Sequence, residues 1–337
     1  MKRIGNLYDK IISLDNLRLA DEKARKGKGN TYGVKKHDRN RESNILQLHE
    51  QLKNKTFKTS EYHIFTIHDP KEREIYQLPY FPDRIVHHAI LNILEPIWTS
   101  VFIRDTYACV KGRGVHDAMR RVKKALRDRN GTKYCLKIDV KKFYPSIDHE
   151  TLKQVIRKKI KCADTLSLLD DIIDSANGLP IGNGPSQHMA NLFLTPLDHE
   201  LKQRHRVKYY FRYADDLVIL HADKEYLHGL LVVINNRLQA LKLSLKDNYQ
   251  IFPVESRGVD FLGFVFRHSH IRMRKSIKQN FARKLSRVNK KNLPLKEYKR
   301  EICGYIGWVK YSNSKHFAKT NIQHNEKIFL CRASRNS

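Results

Sequence analysis

Apolar residues return at helical spacing near the start of the chain, where Leu7, Ile11, Ile12, Leu17 and Leu19 predict helical segments from Asn6 to Glu22, interrupted near Asp15. The basic, glycine-containing run KARKGKGNTYG that follows reads as a loop touching phosphate or solvent. Ile45, Leu46, Leu48 and Leu52 predict a second helix over Ser43–Lys53, closed by the polar break at Asn54. Tyr62–Ile67 and Glu74–Leu78 flank DPKER and predict a short extended pair. Asp83–Ile97 is strongly apolar and predicts a helix, whereas Gly114–Asp128 predicts an amphipathic helix with a basic face. Strands then alternate with helices: YCLKIDV, a helix from His149, another around Leu166–Ser175, and the hairpin FRYADDLVIL. From near Met273 the pattern turns basic and helical, which marks a boundary.

Charge narrows the partner. Lys plus Arg number 65 against 35 Asp plus Glu, 65 − 35 = +30, with a pI near 9.9, so a polyanion is the natural ligand and nucleic acid the first candidate. Charge alone equally fits a solvated basic surface or an RNA binder without chemistry. The 337 residues allow one large catalytic unit or two or three lobes around a cleft. Five cysteines lie far apart with no CxxC spacing, which argues against a zinc site or a disulfide framework and for a reducing compartment. The N-terminal residues lack the apolar core of a signal peptide, and no stretch approaches the roughly 20 apolar residues of a membrane span. A soluble, cytoplasmic protein with no membrane association is expected.

The chemistry lies in three carboxylates. Alternation in YCLKIDV puts Leu136 and Ile138 on one face and Lys137 and Asp139 on the other, so an otherwise buried strand delivers a carboxylate near its end. Tyr209 to Leu220 reads as strand, tight turn, strand, with Asp215 and Asp216 at the tip. Adjacent like charges are costly unless a cation sits between them. Two-metal phosphoryl transfer needs such hard oxygen ligands, about 4 Å between the ions. A bare Asp-Asp pair is most often a solvated turn. Here Tyr213 and an apolar strand bracket it, and Asp139 heads its own motif upstream.

YADD at 213–216 together with KIDVKKFYPSID at 137–148 resembles motifs C and A of reverse transcriptases. The resemblance implies an α+β, right-hand polymerase fold: an N-terminal extension and fingers with the first part of the palm over 1–135, the palm over 136–272 and a helical thumb over 273–337. It implies that Asp139, Asp215 and Asp216 are the catalytic acids and ligands of two Mg²⁺ ions, for which Mn²⁺ can substitute. Tyr144 matches the aromatic gate beneath the sugar, and Phe143 beside it reads as packing. By the same resemblance Lys71 and Arg73 clamp the incoming triphosphate. Lys111, Arg113 and His116 in VKGRGVH meet template backbone, where Gly112 and Gly114 allow close approach. Asp260–Phe264 resembles the primer grip, with Phe261 and Gly263 at the primer end and Phe261 and Phe264 also contributing to the core. The leaving-group acid stays open between Lys246 and the position of Tyr249. Trp308 and Tyr311 pack the thumb.

GLPIGNGPSQHMANLFL, Gly178 to Leu194, narrows the family, because most reverse transcriptases carry Pro-Gln-Gly where this chain has Pro180-Ile181-Gly182. The Ile181-Gly182-x-x-x-Ser186-Gln187 pattern is similar to the signature of diversity-generating retroelement enzymes, departing from it at Gly184-Pro185, where Leu-Thr is usual. Ile181, Gly182 and Gln187 would line the pocket that checks template base and nucleotide. An apolar Ile in place of an amide removes a hydrogen-bonding group there, so low fidelity is expected. The resemblance further implies a bacterial enzyme, chromosomally or phage encoded, that copies a template-repeat RNA from dNTPs into cDNA with errors opposite adenine. That cDNA replaces a variable repeat in a target gene, and a small basic accessory variability protein takes part. Competing readings are a group II intron-type maturase, a defence-associated reverse transcriptase, and a non-enzymatic RNA-binding protein that could dispense with all three carboxylates.

Overall fold

The computed structural model describes residues 2–68 and 72–322. Lys71, Cys331 and the end of the expected thumb lie outside the described residues. Nine strands, named in chain order, form three antiparallel sheets among the described residues. β1 (His63–Ile67) and β2 (Arg73–Gln77) make a two-stranded ribbon. β3 (Tyr134–Asp139), β4 (Tyr209–Tyr213), β5 (Asp216–His221) and β6 (Gln250–Pro253) make the central sheet, in the order β4-β5-β3-β6. β7 (Val259–Phe261), β8 (Phe264–Phe266) and β9 (Ile271–Met273) make the third.

The central sheet is buried on both faces, and its sequence shows why. Leu136, Ile138, Leu217 and Ile219 point into the larger core with Tyr210, alongside Leu227, Ile234 and Leu238 of the helix Lys224–Ala240 and Met189, Ala190 and Phe193 of the helix Gly184–Phe193. Cys135, Phe211, Val218 and Leu220 point the other way, into a second core with Ala118, Met119 and Val122 of the helix Val115–Ala125 and with Phe261, Phe264 and Phe266 of the third sheet. Period-2 alternation in β3 and β5 therefore serves two cores at once. The apolar helix Ile85–Thr99 buries Ile85, Val86, Ala89, Ile90, Leu94 and Trp98 and packs against the helices Leu14–Arg25 and Gly184–Phe193.

Several predicted boundaries shift. The first interruption falls at Ser13, which caps the helix Leu14–Arg25 by accepting from the Asn16 N–H, and not near Asp15. The run KARKGKGNTYG is only partly loop: helix continues to Arg25 and a new one begins at Tyr32. Leu19 and Leu46 are exposed, so the buried stripes are narrower than their apolar spacing implied. The helix Lys224–Ala240 was not predicted.

A buried ion pair ties this framework together. Arg212 in β4 and Asp198 in the helix Thr195–His199 both have fully buried side chains, with Nη2 2.5 Å from Oδ2 and Nε 2.8 Å from Oδ1. Tyr210 Oη donates to the same carboxylate at 2.6 Å. The remaining guanidinium hydrogens reach Asn191 Oδ1 at 3.0 Å, Asn191 O at 3.2 Å and Ala214 O at 3.1 Å. The fork geometry of arginine meets all of these at once, which lysine could not. Breaking one side of a buried pair strands the other charge, so Arg212→Met is expected to cost about 3–5 kcal/mol in urea denaturation, with part recovered in the double variant Arg212→Met/Asp198→Leu. A loss below about 1 kcal/mol for Arg212→Met would rule out this pair as a structural centre.

Candidate active site

β4 and β5 are joined by the two-residue turn Ala214-Asp215, with Tyr213 paired to Asp216. Ala214 sits in the left-handed region at φ 52°, a conformation a β-carbon disfavours, and Arg212 holds its carbonyl from below. Asp216 thus begins β5, and the register places it directly opposite Asp139, the last residue of β3. Asp215 stands in the turn above them. The antiparallel register converts a sequence separation of 77 residues, 216 − 139, into adjacency.

The electrostatics of these acids are those of crowded, half-buried carboxylates. Burial pushes the Asp215 carboxyl up, and the Asp139 charge beside it pushes in the same direction. Burial also raises Asp216, to about 6; Lys137 opposes this shift, while Asp139 and Asp215 reinforce it. Two lysines balance the charge: Lys246 Nζ lies 2.6 Å from Asp139 Oδ2, and Lys137 Nζ lies 3.7 Å from Asp216 Oδ2 while donating to Asp260 O. The Lys246 backbone N–H also bonds Asp139 O at 3.0 Å.

The opposing oxygens, Asp139 Oδ1 and Asp216 Oδ1, are buried and accept no hydrogen bond. Unpaired anionic oxygens of this kind are costly unless a cation meets them, and carboxylates suit a hard divalent ion such as Mg²⁺. The donor set therefore fits such an ion. No group of three His, Cys, Asp or Glu side chains stands at chelating distance among the described residues, so metal binding would have to draw the three carboxylates closer together.

Around the acids the other predicted residues fall into place unevenly. Tyr144 is half-buried, edge-on to Phe143 at 5.4 Å, and its carbonyl accepts from the Leu179 N–H at 2.9 Å. Burial raises its phenol first, with Cys109, Asp215 and Tyr213 near enough to add to the shift. Ile181 O accepts from the Tyr76 N–H at 2.9 Å, so the ribbon bearing Arg73 docks on the Ile181-Gly182 loop. Gly182 has φ 134°, and a β-carbon there would sit 2.3 Å from Tyr76 O. Gln187 Oε1 accepts from Cys109 Sγ at 2.7 Å.

A model of the family described as "Reverse transcriptase (RNA-dependent DNA polymerase)" matches residues 67–266, more than half the chain, and spans all three acids. The chain belongs to the reverse transcriptase family. It is 30% identical over 141 residues to Protein YkfC of Escherichia coli K12, covering 38% of this chain and 37% of that protein. Over 132 residues it is 28% identical to the group II intron-encoded protein LtrA of Lactococcus lactis subsp. cremoris, covering 36% of this chain and 22% of LtrA. Retron Ec73 reverse transcriptase of Escherichia coli is 27% identical over 240 residues, covering 66% of this chain and 74% of that enzyme. The chain thus spans well under two thirds of YkfC and LtrA. The α+β, right-hand polymerase fold is that of the family.

Within this reverse transcriptase fold, four expectations about contacts change. Phe261 is wholly buried in the second core, so its ring cannot touch a primer. The turn it precedes is real: Leu262 and Gly263, at φ 53° and 80°, join β7 to β8, with Trp308 of the helix Leu295–Lys310 packed over Gly263 and 4.7 Å from the Phe264 ring. His116 stacks on Tyr311 at 4.1 Å, so Tyr311 docks the C-terminal helices onto the central unit rather than packing only among them. Arg113 spends part of its guanidinium on Ile103 O at 3.0 Å, while Lys111 stays exposed. Tyr249 is exposed, and of the two positions left open Lys246 is the one beside the acids.

Sequence reasoning missed Arg212 and Cys109. Arg212 was legible as a lone charge inside the apolar strand YYFRY, but its partner lies in another element. Nothing local marks Cys109.

Two outcomes follow from this geometry. Gly182→Ala is expected to lower primer extension at least tenfold, because the new β-carbon collides with Tyr76 O at a φ that L residues avoid; unchanged rates would mean the ribbon does not need this contact. Asp216 binds more protons folded than unfolded as pH rises from 3.8 to about 6, so stability falls through that window and the cost persists above it. Asp216→Asn should therefore be about 1–3 kcal/mol more stable than wild type at pH 7 in EDTA, with the difference vanishing near pH 4. A destabilised Asn variant at pH 7 would show that the crowding is relieved some other way.

Proposed function

We propose that this chain is an RNA-directed DNA polymerase that copies a template-repeat RNA into adenine-mutagenised cDNA for diversification of a target gene. The observation that carries the polymerase reading is the register pairing of Asp139 with Asp216 beneath Asp215, with one carboxylate oxygen of each of the paired acids left unbonded. Asp139, Asp215 and Asp216 would hold two Mg²⁺ ions. Such ions, when bound, lower the pKa of a primer 3′-hydroxyl and neutralise the triphosphate. The chain's own residues then set who reacts. Tyr144 closes the floor under the sugar, Lys71 and Arg73 steady the triphosphate, and Lys246 stands within proton-transfer distance of the acids. Lys111, the turn at Gly263 and the basic C-terminal helices carry template and primer through phosphate contacts. In this reading the fingers span 1–135, the palm 136–272 and the thumb begins at 273.

The mutagenic part rests on Ile181. Its side chain brings no donor or acceptor, while its carbonyl is used by Tyr76 to fix the loop, so the position contributes shape without hydrogen-bond readout. RNA template, DNA primer and dNTPs are the substrates, and an accessory variability protein would complete the complex. A second reading, a retron-type or group II intron-type reverse transcriptase, is favoured by the alignment that covers 74% of the retron Ec73 enzyme.

The test is cDNA synthesis on a defined RNA with accessory protein supplied, sequencing products of wild type, Asp215→Asn and Ile181→Gln. Activity should fall at least a thousandfold in Asp215→Asn, and errors should cluster at template adenines and decline in Ile181→Gln. Active but accurate wild-type synthesis would support the retron or group II reading. Synthesis indifferent to Asp215 would remove the catalytic assignment altogether.

A further inference from the structure

Tyr144 lies at the nucleotide pocket in the proposed function, and the family resemblance puts Gln187 there too, yet neither explains what fixes the Gln187 side chain. It is exposed at the start of the helix Gly184–Phe193, on a surface where a free glutamine would sample many rotamers. One contact restrains it. Cys109 Sγ lies 2.7 Å from Gln187 Oε1. A thiol S–H is a donor, and the only acceptor on a glutamine side chain is its oxygen. The contact therefore sets the amide's orientation: Oε1 is taken by Cys109, and the Nε2 hydrogens are left for another partner.

Cys109 is itself held in an unusual state. Its backbone is left-handed at φ 54°, and the preceding carbonyl, Ala108 O, accepts from Asn191 Nδ2 at 2.7 Å. Asn191 is the same residue that accepts from Arg212, and Arg212 holds the Ala214 carbonyl of the catalytic turn. A continuous set of bonds thus runs from the turn through Arg212, Asn191 and Ala108 to Cys109 and on to Gln187. Tyr144 and Tyr213 are close enough to Cys109 for a thiolate there to act on their phenols. The surrounding protein raises the Cys109 thiol, which keeps it in the donating form at neutral pH although part of the residue faces solvent.

We infer that Cys109 is a positioning residue for nucleotide selection, its thiol locking the Gln187 amide with the NH₂ end presented to the nucleotide and template base. It acts through Gln187 and touches no substrate itself. The inference rests on the placement of Gln187 in the nucleotide pocket. It also requires that the amide's donor end, not its acceptor end, meets the base or sugar edge.

The experiment is single-nucleotide primer extension by the full chain on an RNA template, measuring kcat and KM for correct and incorrect dNTPs. The proteins are wild type, Cys109→Ala, Cys109→Ser, Gln187→Ala and the Cys109→Ala/Gln187→Ala double variant. A serine hydroxyl can donate to the same oxygen within ordinary hydrogen-bond range, so Cys109→Ser should keep wild-type KM and selectivity. Cys109→Ala removes one net hydrogen bond and should raise KM for the correct dNTP about 3–10-fold with kcat within twofold of wild type. In the Gln187→Ala background the Cys109→Ala change should have no further effect. Additive effects in the double variant, or a Cys109→Ser variant as impaired as Cys109→Ala, would overturn the inference while leaving Gln187 in the pocket. A Gln187→Ala variant with wild-type KM and selectivity would instead refute the pocket placement, and the inference with it. Thermal unfolding of each variant separates these outcomes from loss of fold, since neither Cys109 nor Gln187 is buried.

Discussion

The buried pair of Arg212 and Asp198 is the interaction on which the site depends, because through it a fully buried carboxylate anchors the guanidinium that holds the Ala214 carbonyl of the turn bearing Asp215. A two-residue turn that carries an acid and begins the next strand with another is under two stresses: a left-handed alanine and mutual repulsion of carboxylates. Both are met by basic side chains. The guanidinium answers the first by holding the Ala214 carbonyl, and it is itself anchored to a fully buried carboxylate that Tyr210 also satisfies. Because every donor is used, the pair acts as a rigid strut rather than a mobile charge.

The second stress is met only in part. Lys246 and Lys137 each meet one oxygen of the Asp139–Asp216 pair and leave the other oxygen of each acid without a partner. Lysine is a compact point charge on a flexible stem, so it neutralises without filling the coordination sphere. The carboxylates thus keep both high charge density and open oxygens, the properties a divalent ion requires. In the proposed function, the stability cost at the acids would be exchanged for affinity toward the cation, as active sites commonly do.

How much of this was legible in the sequence depends on the range of the interactions involved. Local pattern was enough for β3, for the hairpin around Asp215 and for the helix after Asp83, since each rests on its own periodicity. Motif resemblance named the three acids, and the register confirms that Asp139 and Asp216 are neighbours. Contacts between distant segments were not legible. The docking of the β1–β2 ribbon on Ile181, the stacking of His116 on Tyr311 and the Cys109–Gln187 bond join residues from 78 to 195 positions apart, with no compositional trace at either end: 187 − 109 = 78 and 311 − 116 = 195. Phe261 illustrates the reverse case, where the expected turn is present but the side chain that marked the motif points into the core.

The proposed function requires Asp139, Asp215 and Asp216 to form one divalent-ion site. The most direct measurement is Mn²⁺ binding followed by electron paramagnetic resonance, on the full chain with RNA template, a dideoxy-terminated DNA primer and the matching dNTP. Wild type is expected to bind two ions tightly, and both Asp139→Asn and Asp215→Asn to lose at least one while remaining folded. Equal Mn²⁺ binding by wild type and both variants would contradict it.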